Sequence, residues 1–232
     1  MAKQIIFTED VRHSWYQGAT SGRHPADGET KPEYGKQGAY SWAKSPRYDG
    51  RVYEVGPLAR VAATYVSGDP VMKELVESSL AQVKAPASAL FSVLGRHLAR
   101  ALSAKFIADS LEKWLLELKP GEPTFVEYEI PEEGRGVGIT EAARGALGHW
   151  IEIKGKKIAN YQCVVPTTWN ISPQDDKGNP GPIEQALIGT KVKDERNPFE
   201  IVRIIRSFDP CLACSIHLIT PRGQDLARFR VV

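Results

Sequence analysis

Residues 88–118, "SALFSVLGRHLARALSAKFIADSLEKWLLEL", place Leu90, Leu94, Leu98, Leu102, Phe106 and Leu111 at helical spacing, and Pro120-Gly121 stops the run. One continuous helix is expected here. Some 30 residues at 1.5 Å each would make it about 45 Å long. That is long for a chain of 232 residues, so the helix is expected to join a bundle whose other members lie partly outside this chain. Its apolar stripe reads as core or partner-helix packing, with no chemistry of its own.

Upstream, "PVMKELVESSLAQV" (70–83) opens a second helix, with Asp69 as N-cap and Pro70 in the first turn. Pro86 separates the two. Residues 1–60 carry Gly, Pro, Tyr and Arg at short intervals, which predicts loops and short strands. Tyr40, Trp42, Tyr48 and Tyr53 are expected to hold that segment against something larger. After Gly121 the pattern alternates, and "HWIEIKGKKIANYQCVVP" (149–166) predicts a hairpin turning at Gly155. Short helices follow at "PIEQALIG" and "NPFEIVRIIRSF". The predicted fold class is α+β: long helices of a bundle over about 70–118, with β-rich segments and loops that carry a C-terminal metal motif. Length suggests one large domain or two small ones over 1–232.

Composition bounds the partners. The chain is 42% hydrophobic and 25% charged, ordinary for a globular protein with a core. A net charge of +2 is too small to argue for nucleic acid or an anionic membrane, and no nucleic-acid partner is expected. No run of apolar residues is long enough to span a membrane, and "MAKQIIFTEDVRHSW" lacks the apolar core of a secretory signal. Three cysteines do not form a disulfide framework.

Two of them stand at C-x-x-C spacing in "SFDPCLACSIH" (207–217), and His217 follows three residues after the second. Thiolates at i and i+3 can reach one metal ion from a turn or helix start. Two sulfurs and one imidazole do not close a structural zinc site, so metal binding and dithiol redox chemistry both remain open on spacing alone. Cys163, read by itself, is a buried core cysteine.

"DPCLACSIH" resembles the C-terminal motif of the large, catalytic subunit of nickel–iron hydrogenases. "YSWAKSPRY", "EVGPLAR", "TEAARGALGHW" and "YQCVVPTTWN" resemble further blocks of that family, in the same order along the chain. The resemblance implies an enzyme for reversible H2 oxidation at a Ni–Fe centre whose iron carries CO and cyanide. Four cysteines would hold the nickel. Cys211 falls on a terminal ligand and Cys214 on one that bridges to iron, and soft thiolates suit such a centre. His217 and the backbone carbonyl of Cys163 fall on ligands of a nearby magnesium or similar ion. Arg144 falls on the arginine above the bimetallic centre, where with Asp209 it would form a charged canopy over reacting H2. Val165 and Pro166 would wall the CO, and Thr167 would donate to a cyanide. Contacts of that kind orient and tune metal ligands.

Two departures from the family pattern stand out. Ala143 occupies a position where proline is common, which frees a torsion beside Arg144. The family's other C-x-x-C belongs to an N-terminal half, whereas the cysteines here are Cys163, Cys211 and Cys214. The resemblance implies that 1–232 is part of a single domain. The chain is therefore expected to be a C-terminal portion: a fragment, the product of a truncated reading frame, or half of a split subunit. A catalytically inactive scaffold or assembly partner is the alternative. Residues 218–232 match a maturation extension, to be cleaved after His217 once nickel is inserted. The implied partners are an iron–sulfur small subunit, the N-terminal portion, a maturation protease and nickel-insertion proteins. No iron–sulfur cluster is expected in this chain, which lacks the cysteines for one. Localisation stays open between a membrane-associated or periplasmic site, reached by partner-dependent export, and the cytoplasm.

Overall fold

The structure is a computed structural model that describes residues 7–18 and 22–211, with the backbone of Ile216–Ile219 and Asp225–Phe229. The first sixty residues are loops around a short antiparallel pair, β1 (Phe7–Asp10) and β2 (Ser45–Tyr48). Three helices follow: α1 (Pro57–Val66), α2 (Pro70–Gln82) and α3 (Val93–Leu116). An antiparallel meander comes next, β3 (Glu133–Ala142), β4 (Gly145–Lys154) and β5 (Lys157–Val164), in that spatial order. Then come the short helices α4 (Pro166–Asn170), α5 (Pro182–Leu187) and α6 (Phe199–Ser207). The backbone of β6 (Ile216–Ile219) pairs with β7 (Asp225–Phe229). The fold is α+β, as the sequence predicts.

The Asp69 cap forms: its carboxylate accepts from the Met72 N–H at 2.8 Å. The expected 30-residue helix is shorter. A 3-10 turn occupies Ala87–Leu90 and α3 starts at Val93. Ser92 breaks the run because its Oγ accepts from the Gly95 N–H at 3.0 Å, an N-cap bond. Gly95 allows the corner: a Cβ there would lie 2.1 Å from the Leu90 carbonyl oxygen. The leucine stripe divides accordingly. Leu90 and Leu102 enter the core with Leu58, Val61, Met72, Val76, Leu80 and Ala99, while Leu94 and Leu111 are exposed. From Leu111 through Ile130 every residue is exposed, apolar ones included. No helix among the described residues is long and apolar enough to cross a membrane.

Two further clusters tie the remaining elements together. Trp150, Val164 and Trp169 pack with Phe7, Tyr48 and Val55. Ile183, Ile205 and Phe208 join α5 to α6. A buried ion pair, Arg47 Nε to Asp175 Oδ2 at 2.8 Å, fastens β2 to the loop after α4. Burial would raise the Asp175 pKa, but bonds from Arg47 and Asn179 outweigh it and hold the carboxyl below the usual range. Of the aromatics expected to anchor the first sixty residues, Tyr48 packs in this way. Tyr40, Trp42 and Tyr53 keep 40–50% of their surface in solvent.

The hairpin predicted to turn at Gly155 forms, with Gly155 and Lys156 both at positive φ. That is the left-handed pair of a type I′ turn. A further element differs from the sequence reading: "EVGPLAR" runs into helix α1, where loops and short strands are expected. Thr167 lies in α4.

Candidate metal-centre frame

Arg144 and Asp209, 65 residues apart, meet. Arg144 sits in the turn between β3 and β4, and neither it nor Ala143 takes a positive φ. Asp209 follows α6 in the left-handed conformation, φ 52°, at the position after a helix where glycine is usual. Aspartate tolerates that region, at a strain of order 1 kcal/mol. The Arg144 Nε–H donates to the Asp209 carbonyl oxygen at 2.9 Å and lies 3.3 Å from Oδ2, with Nη2 at 3.5 Å from Oδ1.

A second guanidinium reaches the same place from α3. Arg100 Nη2 donates to the Ser207 carbonyl at 2.9 Å, and its Nε, which has no hydrogen-bond partner among the described residues, stands 3.8 Å from Asp209 Oδ2. Arg100 thus caps a carbonyl left open at the end of α6, Arg144 holds the carbonyl two residues further on, and both guanidiniums oppose the helix's negative dipole end. A third, Arg96, lies one turn before Arg100. Its guanidinium stacks 3.9 Å from the centre of the Phe208 ring and forms two 2.7 Å bonds with Glu54. The segment Ser207–Asp209 is therefore clamped from three sides just before Pro210 and Cys211.

The frame continues through two glycines. Gly56 (φ 124°) is the N-cap of α1, and Gly145 (φ 126°) starts β4. A Cβ on Gly145 would lie 2.5 Å from Gly56 N, and a Cβ on Gly56 would lie 3.0 Å from the Arg144 carbonyl oxygen. Asn170, at the end of α4, is buried and locks the next residue of the same stretch. Its Oδ1 accepts from Val55 N at 3.0 Å and its Nδ2 donates to Val55 O at 2.8 Å. The block "EVGPLAR" is thus joined to "EAARG" by close backbone approach and to "VVPTTWN" by the Asn170 side chain.

Other predicted residues are placed as follows. Cys211 is a free, exposed thiol two residues beyond Asp209. Cys214 lies outside the described residues, and His217 is described only as backbone within β6. The expected cleavage point between His217 and Leu218 falls inside that strand. Cys163 is exposed, which corrects its reading as a core cysteine. It stands opposite His149 across β4 and β5, with Sγ 3.3 Å from His149 Nδ1, and the same nitrogen is 2.6 Å from the Tyr161 hydroxyl. Val165 is the exposed N-cap of α4; Pro166 and Thr167, its first residues, are buried. A cavity of about 550 Å³ is lined by Phe7, Tyr48, Val137, Ile139 and Trp150 among others, and none of the predicted site residues that are described lines it.

Among the described residues no three His, Cys, Asp or Glu side chains converge on a common point. The donor set that is described, an exposed thiol beside a charge-capped helix end, fits part of a thiolate-held metal centre. Arg60, Arg96, Arg100 and Asn170 were not singled out from sequence. The i,i+4 spacing of Arg96 and Arg100 beside an apolar helix stripe is the signal that could have found two of them.

A sequence model described as nickel-dependent hydrogenase matches residues 2–217. The chain is 44% identical to the uptake hydrogenase large subunit of Bradyrhizobium diazoefficiens, covering 96% of this chain and 42% of that subunit. It is also 44% identical to the periplasmic [NiFeSe] hydrogenase large subunit of Desulfomicrobium baculatum, over 92% of this chain and 43% of that one. A solved structure of the Desulfomicrobium baculatum [NiFeSe] hydrogenase superposes with a TM-score of 0.80, covering 90% of this chain and 44% of its own. The chain thus spans less than half the length of the relatives it matches.

Proposed function

Because the chain belongs to the nickel-dependent hydrogenase family, we propose that it is the C-terminal portion of a hydrogenase large subunit serving reversible H2 oxidation. In this reading Cys211 and Cys214 supply two of four cysteine ligands to a Ni–Fe centre with CO and cyanide on iron. His217 and the Cys163 carbonyl serve a magnesium or similar ion, and Val165, Pro166 and Thr167 line the diatomic ligands. The observation that carries the reading is the meeting of Arg144 with Asp209 at the helix end that leads into Cys211. Bound there, the centre would supply the redox-active Lewis acid at which H2 is polarised.

The protein's own groups have separate tasks. Arg144 directs Nε and Nη2 at Asp209, while its Nη1 has no hydrogen-bond partner among the described residues. That leaves one donor edge of a permanent cation for a ligand or reacting molecule. Asp209, held between Arg144 and Arg100, is an acceptor for a proton leaving that space. Cys211 is exposed and can meet ligands from outside the chain.

The partners follow from what is incomplete. Three cysteines do not provide four thiolates along with the carbonyl role of Cys163. The apolar residues of the second half of α3, Ile107, Leu111, Trp114, Leu115 and Leu116, keep 45–79% of their surface exposed. Both suit an N-terminal large-subunit portion as the complement, with an iron–sulfur small subunit carrying electrons away. Purified alone, the chain is expected to hold no stoichiometric nickel. Co-produced with an N-terminal portion and the nickel-insertion machinery, it is expected to hold about one nickel per complex. Elemental analysis of both preparations decides, and nickel with infrared CO and cyanide bands in the lone chain would refute the ligand count. Failure of every complement to bring nickel would favour the second reading, an inactive scaffold or assembly partner.

The family match ends at residue 217, which supports reading 218–232 as a maturation extension. The intact mass of nickel-loaded chain should correspond to a C-terminus at His217. Active material that retains Leu218–Val232 would refute the cleavage.

A further inference from the structure

Arg60, on the first turn of α1, does not touch Asp209. Its Nη1 donates to the Ala142 carbonyl at 2.7 Å and to Glu141 Oε2 at 2.8 Å, and its Nη2 donates to the Ala143 carbonyl at 3.0 Å. These are the acceptors immediately before Arg144. The arginine is about one-quarter exposed, and its fork spans two successive carbonyls of one turn. On the other side of Arg144, the Gly56–Gly145 contact presses the same turn against the N-terminus of α1. The four-residue turn Ala142–Gly145 is thus gripped at both ends by the block 56–60.

We infer that Arg60 is the positioning residue for Arg144: it fixes the peptide planes of Ala142 and Ala143 so that the next side chain is delivered to Asp209. Position 143 lies inside the grip. It is the first central residue of a two-residue turn with φ not positive, a torsion that a proline ring would also hold. With alanine there, the hold on the carbonyls from outside carries more of the load. A proline at 143 should therefore restore part of the order that Arg60 supplies. The catalytic consequence rests on the proposed role of Arg144; the positioning does not.

The test uses the full 232-residue chain labelled with ¹⁵N, following hydrogen exchange at the Arg144 Nε–H, which is assigned by its absence in Arg144→Lys. Arg60→Met, which keeps the stem and removes the donors, is expected to speed that exchange about tenfold or more, as loss of charge-assisted bonds of this kind implies. The Arg96 Nε–H, bonded to Glu54, should keep its rate and serves as an internal control for folding. Ala143→Pro added to Arg60→Met should return the Arg144 rate part of the way. Arg60→Gln, which can hold one carbonyl, should fall between, and it carries the test if the Met variant does not fold. An unchanged Arg144 rate in Arg60→Met, or no recovery with Ala143→Pro, overturns the positioning role. Faster exchange in the chain with unaltered H2 turnover in an assembled enzyme would uphold the positioning and overturn the proposed function of Arg144.

Discussion

Arg144→Lys, introduced into an assembled enzyme, is expected to lower H2 turnover by roughly a hundredfold, the scale of losing one preorganised donor at a reacting centre. Nickel content should not change. Three of the guanidinium's features bear on this. Its Nε–H is committed to the Asp209 carbonyl, its Nη2 faces the carboxylate, and Nη1 is left unpartnered among the described residues. A lysine ammonium is a point charge on a flexible stem and cannot hold the carbonyl and carboxylate while aiming a further donor in a fixed plane. The end of α6 would survive the exchange, because Arg100 still caps the Ser207 carbonyl and Arg96 still stacks on Phe208. Loss of turnover should therefore come without loss of fold. Dye reduction under H2, read beside nickel by elemental analysis and a thermal melt, separates the two. Near-normal turnover would remove Arg144 from the chemistry, and lost nickel would make it a structural residue of the centre.

How far such roles can be read in the sequence depends on where their partners lie. The α2 cap, the Gly155 turn and the two late helices are local events, set by residues within a few positions of one another, and they formed as predicted. The start of α3 was not predictable from periodicity, because Gly95 acts through its distance to the Leu90 carbonyl, and that distance exists only once the corner has folded. Helix α1 was hidden by the Gly and Pro around it, although Gly56-Pro57 is itself a serviceable helix start. Arg144 and Asp209 were marked by their blocks, and the structure supplies their meeting.

The residues that hold them were harder. Arg60 and Asn170 grip backbone carbonyls and amides 82 and 115 positions away, and a carbonyl has no sequence identity to search for. Arg96 and Arg100 look like ordinary solvated helix charges until Phe208 and Ser207 come to rest under them. Cys163 stays out of the core for a related reason. Alternation puts it opposite His149, on the other face of the meander from Trp150 and Val164, and that face is open in this chain.

Gly145→Ala is expected to destabilise the chain by about 2–6 kcal/mol, adding roughly 1–3 for a side chain forced to an unfavourable positive φ and roughly 1–3 for overpacking. The φ of 126° admits L side chains poorly, and the new Cβ would stand 2.5 Å from Gly56 N and 2.9 Å from both Gly56 Cα and the Val55 Cγ2 methyl. Relief has few routes. Gly56 is fixed by its own φ of 124° and by α1 behind it, while Val55 is clamped on both backbone atoms by Asn170. The turn can move away only by withdrawing the Ala142 and Ala143 carbonyls from Arg60. Strain at this one glycine would therefore reach Arg144, so the same substitution in an assembled enzyme should also reduce turnover. Gly138→Ala, on the same sheet with nothing within 4 Å of its Cβ, controls for the loss of a glycine and should be nearly neutral. Urea unfolding of the two variants gives the comparison. Equal midpoints would mean that the helix α1 and β4 backbones separate at little cost, and the frame proposed to aim Arg144 would not be rigid.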